Sequence, residues 1–583
     1  MCGIAGVVGS WDDALLERFG ASLRHRGPDG GGVVTHDDVA LVARRLAIID
    51  LATGEQPMTS PGGRCTIVFN GEIYNAPELR QRLEGEGRVF SSDHSDTEVV
   101  LALWEEHGED AFGLLNGMFA LAILDREQNE LVLVRDRLGI KPLYYTERGS
   151  FAFASELRAL LQMPGVEREV DRDALFHYLS LRFVPGEQSI FRGVRRLPPG
   201  HLLRLDLETR RPRVSRWWKL EFGDDGDPRS LRDALRDAVV RWTLADVPVA
   251  VSLSGGLDSS AVTALLAESG AHVRTYTLGF DGEDGELALA RALAEKWGTE
   301  HHETVVDASE LLDDLLQMVW ALDEPYGGGL PSWYVYRFMS GDVKVGLTGT
   351  GGDELFGNYR RFVPFERARL RRLRGADVRR YHFEPSYYFT DDEKRDHLGV
   401  DGPATAELLQ RVFDESGSES ARDSVLYLDA STQLPDEFLH VTDRFSMAWS
   451  LEARTPFLDH ELVQLVASIP PDARTDADDP KRLLRDAVAD LLTPAHLEAP
   501  KRGFVFPLAR WLRGPLRPLA ESVLSPEHLR RQGIFRPDAD FLSLDAERLW
   551  PLLMFQLWHL LYVEEALTAP PTFTWRELAA VAR

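Results

Sequence analysis

The second residue of the chain is a cysteine, and the first six residues read MCGIAG. Removal of Met1 would leave a thiol and a free α-amine on the same residue, and that amine can act as the general base for the thiol. Residues 3–9 are apolar and glycine-rich, as expected of a buried strand that presents its first residue to a pocket. The sequence therefore predicts a nucleophile at Cys2, with a cysteine of no special role as the alternative on position alone.

A thiolate that attacks an amide needs hydrogen-bond donors for the developing oxyanion, and an asparagine side chain with a neighbouring glycine N–H can supply them. Asn70 and Gly71, which follow an apolar run, fit this need. An amino-acid substrate also needs a cation for its carboxylate and an anion for its amine, and Arg45 and Asp96 fit these roles. Taken singly, each of these residues could instead be a turn residue, a surface charge or a helix cap.

A second candidate site lies in the loop SGGLDSS, residues 254–260, between a strand-like run and a helical pattern. Its glycines let backbone N–H groups converge on an anion at a helix N-terminus. The loop lacks the Gly-Lys-Ser/Thr of the Walker A motif. An acid among phosphates indicates Mg²⁺, so Asp258 is a candidate ligand. Asp353, in the loop TGTGGDELFGNY after another strand-like run, is a second one.

Length and composition limit the classes of function. A chain of 583 residues is too long for one core and predicts at least two domains. Its net charge of −27 argues against a nucleic-acid partner, because phosphate backbones bind basic surfaces. Two cysteines exclude a disulfide framework and suit a reducing cytoplasm. No apolar run approaches the ~18 residues of a membrane span, so we expect no membrane association.

The pattern of elements changes along the chain. Residues 1–205 carry short strand-like runs separated by glycine turns and predict a layered α+β domain with much antiparallel sheet. Residues 206–229 are assigned to a linker, within which residues 210–218 are either linker or edge strand. From residue 230 to 583, alternating strand and helix patterns predict an α/β domain with a parallel, doubly wound sheet and a largely helical C-terminal part.

Eight segments of the first 200 residues resemble, in order, the N-terminal-nucleophile (Ntn) glutaminase domain of asparagine synthetases: MCGIAG, RHRGPDG, RRLAIID, QPM, NGEIYN, SDTEVV, GMFALAILD and RDRLGIKPLYY. The resemblance implies that glutamine is hydrolysed to glutamate and ammonia here. It assigns the nucleophile to Cys2 and the oxyanion hole to Asn70 and Gly71. It also assigns glutamine binding to Arg45, Asn70, Glu72 and Asp96.

The loop SGGLDSS resembles the pyrophosphate loop of ATP pyrophosphatases, which leave an adenylate. The segments DRFSM, SLEARTPFLD and KRLLR are similar to the synthetase domain of the same family. The resemblance implies ATP and Mg²⁺ as cofactors, the metal at Asp258 and Asp353, and a catalytic cation at Lys481. It places ATP contacts at Leu253, Ser254, Gly255, Gly256, Asp258, Ser259, Ser260, Thr277, Leu278 and Gly351.

Together these features resemble a class II glutamine amidotransferase of the asparagine synthetase B type. The resemblance implies that ATP activates a carboxylate, expected to be aspartate, as an acyl-adenylate. Ammonia from glutamine then displaces AMP and forms the amide. The expected partners are small-molecule substrates, with a possible homodimer.

The chain departs from the family at two positions. Thr350 stands where the family usually has Asp or Glu, and Val441 where it usually has Lys. Candidates for the acceptor site are therefore Thr350, Glu354 and Tyr359, with Glu324 as a further acid.

These departures keep open an amidotransferase that acts on another carboxylic acid in a natural-product pathway. A tRNA-modifying adenylating enzyme is a second alternative, disfavoured by the acidic charge and the complete glutaminase domain. A scaffold without activity is disfavoured by intact Cys2, Asp258 and Asp353.

Overall fold

The computed structural model describes residues 2–280, 284–307, 310–357, 383–476, 478–499 and 507–581. In chain order, the strands are β1 (Cys2–Val8), β2 (Gly30–His36), β3 (Val39–Arg45), β4 (Met58–Thr59), β5 (Cys65–Ile73), β6 (Gly117–Asp125), β7 (Glu130–Arg135), β8 (Tyr144–Thr146), β9 (Phe151–Ala154), β10 (Val194–Arg196), β11 (His201–Asp206), β12 (Pro212–Arg216), β13 (Val249–Ser252), β14 (Arg274–Phe280), β15 (Glu300–Val306), β16 (Val345–Leu347) and β17 (Glu452–Arg454).

The α-helices fall between and after these strands. They span Asp13–Ser22, Ala76–Gly85, Asp96–His107, Ala111–Leu114, Leu157–Leu160, Arg172–Leu181, Leu231–Arg241, Leu257–Glu268, Asp284–Trp297, Glu310–Asp313, Leu315–Leu322, Ser332–Met339, Gly352–Phe356, Asp391–Glu393, Thr405–Glu415, Ala421–Ser431, Leu439–Ala448, His460–Ser468, Pro471–Arg474, Arg482–Val488, Pro494–Glu498, Leu508–Arg513, Arg517–Val523, Pro526–Gln532, Ala546–His559 and Trp575–Val581. Shorter 3₁₀ and π turns link several of them.

Strands β1–β12 form two antiparallel sheets, ordered β10-β8-β9-β1-β3-β2 and β12-β11-β7-β6-β5-β4. Alternating apolar residues such as Ile4, Val68 and Leu133 meet between the two sheets. The outer face of the first sheet packs on helix Asp13–Ser22, and that of the second on helix Asp96–His107. We call this four-layer unit the sandwich, and it confirms the predicted α+β class.

The remaining strands form one parallel sheet, ordered β15-β14-β13-β16-β17. Strand β13 lies between β14 and β16. The chain therefore adds β14 and β15 on one side of β13, and β16 and β17 on its other side. Ligands bind in such sheets at this switch point, beside the carboxyl ends of the strands. The predicted parallel sheet is confirmed, and we call it with its helices the parallel-sheet unit.

Residues 210–218, predicted as either linker or edge strand, contain the edge strand β12. Residues of β12 pair antiparallel with β11 and form the edge of the second sheet, so the interval 206–229 adds a strand to the sandwich. The domain boundaries themselves stay predictions. Within the described ranges, no helix is both long enough and apolar enough to span a membrane.

Buried ion pairs join the sandwich to the parallel-sheet unit. The Arg26 guanidinium donates two hydrogen bonds to the Asp443 carboxylate, at 2.7 and 2.9 Å, and a third to Glu156 at 2.9 Å. Arg26 is 0% and Asp443 3% exposed. Because a buried charge without its partner is costly, this contact holds the two units in one arrangement.

We predict that Asp443→Ala destabilises the protein by about 3–5 kcal/mol, because it leaves the buried Arg26 without its bidentate partner. Thermal and denaturant unfolding should show the loss as a lower midpoint. The matched control is Glu169→Ala, which removes an exposed ion pair to Arg192 and should change the midpoint little. Equal midpoints for the two variants would contradict the prediction.

Candidate functional site

Cys2 is the first residue of β1 and is buried, with 5% of the residue exposed. The Cys2 backbone nitrogen donates to Asn70 Oδ1 at 3.0 Å, so the group that becomes the α-amine after Met1 removal already lies at that oxygen. Gln56 Nε2 lies 3.8 Å from Cys2 Sγ, and Arg26 Nε donates to the Cys2 carbonyl oxygen at 3.1 Å. Burial raises the pKa of the Cys2 thiol, so a thiolate at neutral pH needs a nearby base.

The sequence places Asn70 and Gly71 together on β5, and the Asn70 side chain contacts Cys2. The Asn70 side chain uses its oxygen on Cys2, while its buried Nδ2 has no hydrogen-bond partner among the residues that the structure describes. A Cβ at Gly71 would lie 2.2 Å from the Met118 carbonyl oxygen, so the sheet pairing of β5 with β6 requires glycine there. A free amide donor beside a thiol is what an oxyanion hole needs.

The predicted glutamine-binding charges lie around this thiol. Arg45 pairs with Cys2 in the β1–β3 ladder, and its Nη2 donates to the carbonyls of Ile49 and Asp50 at 3.0 and 2.6 Å. Asp96 Oδ2 accepts a hydrogen bond from the Ile73 backbone at 3.0 Å, and burial raises the pKa of Asp96 to about 6.

Glu72, on β5, completes the predicted set. Burial, followed by the carboxylates of Glu452 and Asp96, raises the pKa of Glu72 well above its ordinary value, whereas the Arg454 guanidinium acts in the opposite sense. Glu452 and Arg454 belong to β17, so the parallel-sheet unit contributes charges to the neighbourhood of the thiol.

The glycine loop between β13 and helix Leu257–Glu268 is organised by serine hydroxyls. Ser254 N donates to Ser259 Oγ at 3.1 Å, and the two hydroxyl oxygens are 2.9 Å apart. Gly255 has φ +76°, and a Cβ there would lie 2.7 Å from the Glu286 carbonyl oxygen. Gly256 caps the helix, and the buried Ser260 Oγ has no hydrogen-bond partner in the described ranges. The loop thus offers donors at a helix N-terminus.

Asp258, Asp353 and Lys481, which we call the carboxylate cluster, come from three separate segments. Lys481 Nζ donates to Asp258 Oδ2 and lies 2.7 Å from Asp353 Oδ1. Burial disfavours the Lys481 ammonium, but the two carboxylates outweigh this effect and raise the pKa of Lys481. The cluster lies after β13 and β16, at the switch point of the parallel sheet.

The carboxylate cluster fits a shared Mg²⁺. Two carboxylates already converge on one cationic group, and Mg²⁺ is commonly bound by one or two carboxylates together with substrate phosphates. Within the part of the chain that the structure describes, no group of three or more His, Cys, Asp and Glu could hold a metal by itself. Asp258 and Asp353 would therefore hold the ion together with nucleotide oxygens.

The predicted nucleotide contacts other than the loop lie beside it. Thr277 Oγ1 donates to the Leu253 carbonyl oxygen at 2.6 Å, which joins the residue after β13 to the middle of β14, and Leu278 is buried next to Thr277. Gly351 has φ +97°, and a Cβ there would lie 2.5 Å from Leu458 Cδ2. Leu253 and Gly351 follow β13 and β16, at the carboxyl ends of these two strands.

Two of the three predicted acceptor residues, Thr350 and Glu354, lie in the described part of the chain. Thr348 Oγ1 donates to Thr350 Oγ1 at 3.1 Å, so Thr350 presents a hydroxyl held by its own loop. Glu354 lies on the wall of an apolar cavity with Leu138 and Leu458. Tyr359 lies outside the described residues.

Glu324 is already engaged, because its carboxylate accepts from Arg196 at 2.5 Å, from the Tyr144 hydroxyl at 3.1 Å and from the Ile190 backbone at 3.0 Å. This buried ion pair joins the sandwich to the parallel-sheet unit. Glu324 is therefore a structural acid, and its candidacy as a base for the acceptor reaction is not supported.

Sequence reasoning assigned no individual role to four residues near the thiol: Arg26, Gln56, Glu452 and Arg454. Their signal was present, because RHRGPDG, QPM and SLEARTPFLD are among the segments that resemble the family. The sequence does not show that Arg454 contacts Glu72. These two residues lie 382 positions apart and meet only because the two units dock against each other.

Comparisons with known proteins agree with this geometry. Residues 1–218 match the glutamine amidotransferase domain, and residues 230–560 match the asparagine synthase family. Glutamine-hydrolysing asparagine synthetase 1 of Bacillus subtilis is 30% identical over 618 residues, which cover 97% of each chain. A putative glutamine-hydrolysing asparagine synthetase of Mycobacterium tuberculosis H37Rv is 34% identical over 97% of this chain and 96% of its own. The chain therefore belongs to the family of glutamine-hydrolysing asparagine synthetases.

Proposed function

We propose that the protein transfers the amide nitrogen of glutamine to a carboxylate that ATP has activated, with aspartate as acceptor and asparagine as product. The observation that carries the proposal is the presence, in one chain, of the buried Cys2–Asn70 contact and the carboxylate cluster at the switch point. Neither site alone needs the other, whereas amide transfer needs both. A homodimer and a cytoplasmic location stay predictions from the sequence.

In the first half-reaction, the α-amine left by removal of Met1 takes the proton of the Cys2 thiol. Sγ then attacks the glutamine amide carbon, and Asn70 Nδ2 with the Gly71 N–H donates to the oxyanion. The C–N bond breaks, and the proton leaves with nitrogen as ammonia. Water hydrolyses the thioester to glutamate, which restores the thiol. Arg45 binds the glutamine carboxylate, and Glu72 with Asp96 binds its amine.

In the second half-reaction, an acceptor carboxylate oxygen attacks the α-phosphorus of ATP, and pyrophosphate leaves. The serine and glycine donors of residues 254–260 bind phosphate oxygens, and Lys481 balances the charge that develops there. Mg²⁺, when held by Asp258 and Asp353, neutralises phosphate charge. Ammonia then attacks the acyl carbon, the bond from that carbon to the AMP oxygen breaks, and one proton passes from the nitrogen to a base or to water as AMP leaves.

A second candidate function has the same mechanism and another acceptor. Thr350 supports it, because a hydroxyl held by Thr348 cannot accept a proton from an attacking amine at neutral pH as a carboxylate can. Under this alternative, a bulkier carboxylic acid occupies the space beside Thr350.

We expect Cys2→Ala to lower glutamine-dependent synthesis by about 10³-fold or more, because it removes the nucleophile, and to leave ammonium-dependent synthesis unchanged. Glutamate and AMP release, measured with glutamine or ammonium, separate the two activities. The matched control is Cys65→Ala, which alters the other buried cysteine and should retain both. Glutaminase activity in Cys2→Ala, or a mature protein that keeps Met1 in mass spectra, would sink the assignment.

We expect Asp258→Asn and Asp353→Asn each to lower AMP and pyrophosphate release by about 10²-fold, because each loses a charge that holds Mg²⁺. Both variants should also need more Mg²⁺ for half-maximal rate. Asp490→Asn, at a residue exposed on the same unit, is the control and should behave as wild type. Release of ADP and phosphate in place of AMP and pyrophosphate would rule out the adenylate route.

Thr350→Asp distinguishes the two acceptors. If aspartate is the substrate, the new carboxylate should be tolerated or should raise asparagine formation, because it can accept the amine proton. If a bulkier acid is the substrate, aspartate should release little AMP from the wild-type enzyme, and Thr350→Asp should impair the native reaction. AMP release across a panel of carboxylic acids, with mass spectrometry of the amide, gives the readout. Robust asparagine formation by wild type at physiological aspartate removes the case for a specialised acid.

A further inference from the structure

Strand β17 runs between the two candidate sites. Its backbone pairs with β16, and the Arg454 carbonyl oxygen accepts from Thr348 N at 2.8 Å, at the start of the loop that carries Thr350 and Asp353. Its Arg454 side chain reaches the sandwich, where Nη2 lies 3.8 Å from Glu72 Oε1. Arg454 therefore contacts the loop of Thr350 and Asp353 through its backbone, and the predicted glutamine site through its side chain.

The Arg454 guanidinium is held in one orientation. Nε donates to Glu452 Oε1 at 2.5 Å, and Nη1 donates to the carbonyls of Trp242 and Leu244 at 2.8 and 2.7 Å. Arg454 is 0% exposed, and its Nη2 has no hydrogen-bond partner in the described part of the chain. The remaining edge of the guanidinium is thus directed at Glu72.

The Glu72 carboxylate is buried as well. It is 4% exposed, and among the described residues its Oε2 has no hydrogen-bond partner. An isolated carboxylate in such a place keeps its proton, because burial penalises the charged form. A protonated Glu72 could not pair with the ammonium group of an amino acid. A nearby cation is therefore needed to stabilise the ionised form of the Glu72 carboxylate before glutamine binds.

We propose that Arg454 is a positioning residue for glutamine binding: it favours the ionised form of Glu72 and orients that carboxylate toward the glutamine amine, so that the parallel-sheet unit completes the glutamine site. The inference rests on the proposed function. It assigns to β17 a part in the first half-reaction, although the strand belongs to the unit that binds ATP. Docking of the two units then becomes a condition for tight glutamine binding.

The pH dependence follows from the groups that act on Glu72. The strongest are Glu452 and Arg454 on β17, Asp96 on helix Asp96–His107, and the amino terminus. The Cys2 thiol and the Tyr74 hydroxyl also interact with the Glu72 carboxylate. Glutamine affinity should rise as pH increases through the pKa of Glu72. Without the Arg454 cation that pKa is higher still, so the rise moves to higher pH. Because Asp96 has a pKa of about 6 and titrates as well, variants must be compared with one another.

The test measures kcat and KM for glutamine hydrolysis from about pH 6 to about pH 9, and ammonium-dependent synthesis beside it. We call the pH at which the glutamine KM changes the KM transition. Arg454→Met should raise the glutamine KM about tenfold at neutral pH and change kcat less. It should also move the KM transition up by about one pH unit. Arg454→Lys, which keeps the charge, should recover much of the loss.

Two further variants keep the test decisive. Glu452→Gln removes a carboxylate that raises the pKa of Glu72, so it should move the KM transition to lower pH. Arg137→Met removes another buried guanidinium, which donates to the carbonyls of Leu115 and Gly113, and should lower stability without moving the transition. Opposite shifts for Arg454→Met and Glu452→Gln would support the inference. Where one variant folds poorly, the shift of the other variant in its expected direction carries the test.

A KM transition that stays at the wild-type pH in Arg454→Met and Glu452→Gln overturns the inference, whatever happens to stability. A wild-type protein that does not hydrolyse glutamine at any pH overturns the proposed function instead. The two failures are therefore distinguishable in one set of measurements.

Discussion

Opposite charges buried between the sandwich and the parallel-sheet unit are the constraint on which the rest of this structure depends. Arg26 with Asp443, and Arg196 with Glu324, cross the boundary with almost no exposure to solvent. A buried charge is tolerated only beside its partner, so each pair permits a single relative placement of the two units. Apolar packing alone would tolerate small sliding motions, whereas the bidentate contact of Arg26 with Asp443 does not.

That placement has consequences at the thiol. Arg26 uses one edge of its guanidinium on Asp443 and its Nε on the Cys2 carbonyl oxygen, so the nucleophile is oriented by a residue that is itself held by the other unit. Arg454 enters the same region from β17 and meets Glu72. The glutamine site is therefore built from both units, although its nucleophile and oxyanion donor lie on the sandwich.

The second site depends on a different regularity. Strands β13 and β16 are parallel neighbours, so the loops that follow them open on the same edge of the sheet. This brings Asp258 next to Asp353, and Lys481, in the left-handed conformation with φ +58° before its helix, reaches between them. The close approach of Gly352 to the Asp258 carboxylate shows why the second loop is rich in glycine: a Cβ there would lie 2.6 Å from Asp258 Oδ1.

The sequence by itself determined the fold class and the family, and it predicted two sites with named residues, because the signals are local. Cys2 at the chain start, Asn70 beside Gly71, and a glycine loop between strand and helix are recognisable within a few positions. It did not reveal β17, since three residues with two charges carry no strand pattern. Nor did it show that Glu324 is bound by Arg196, or that Arg454 faces Glu72. Only the tertiary structure decided these, because the stability of a buried charge depends on which distant residue lies against it, and local sequence carries no record of that neighbour.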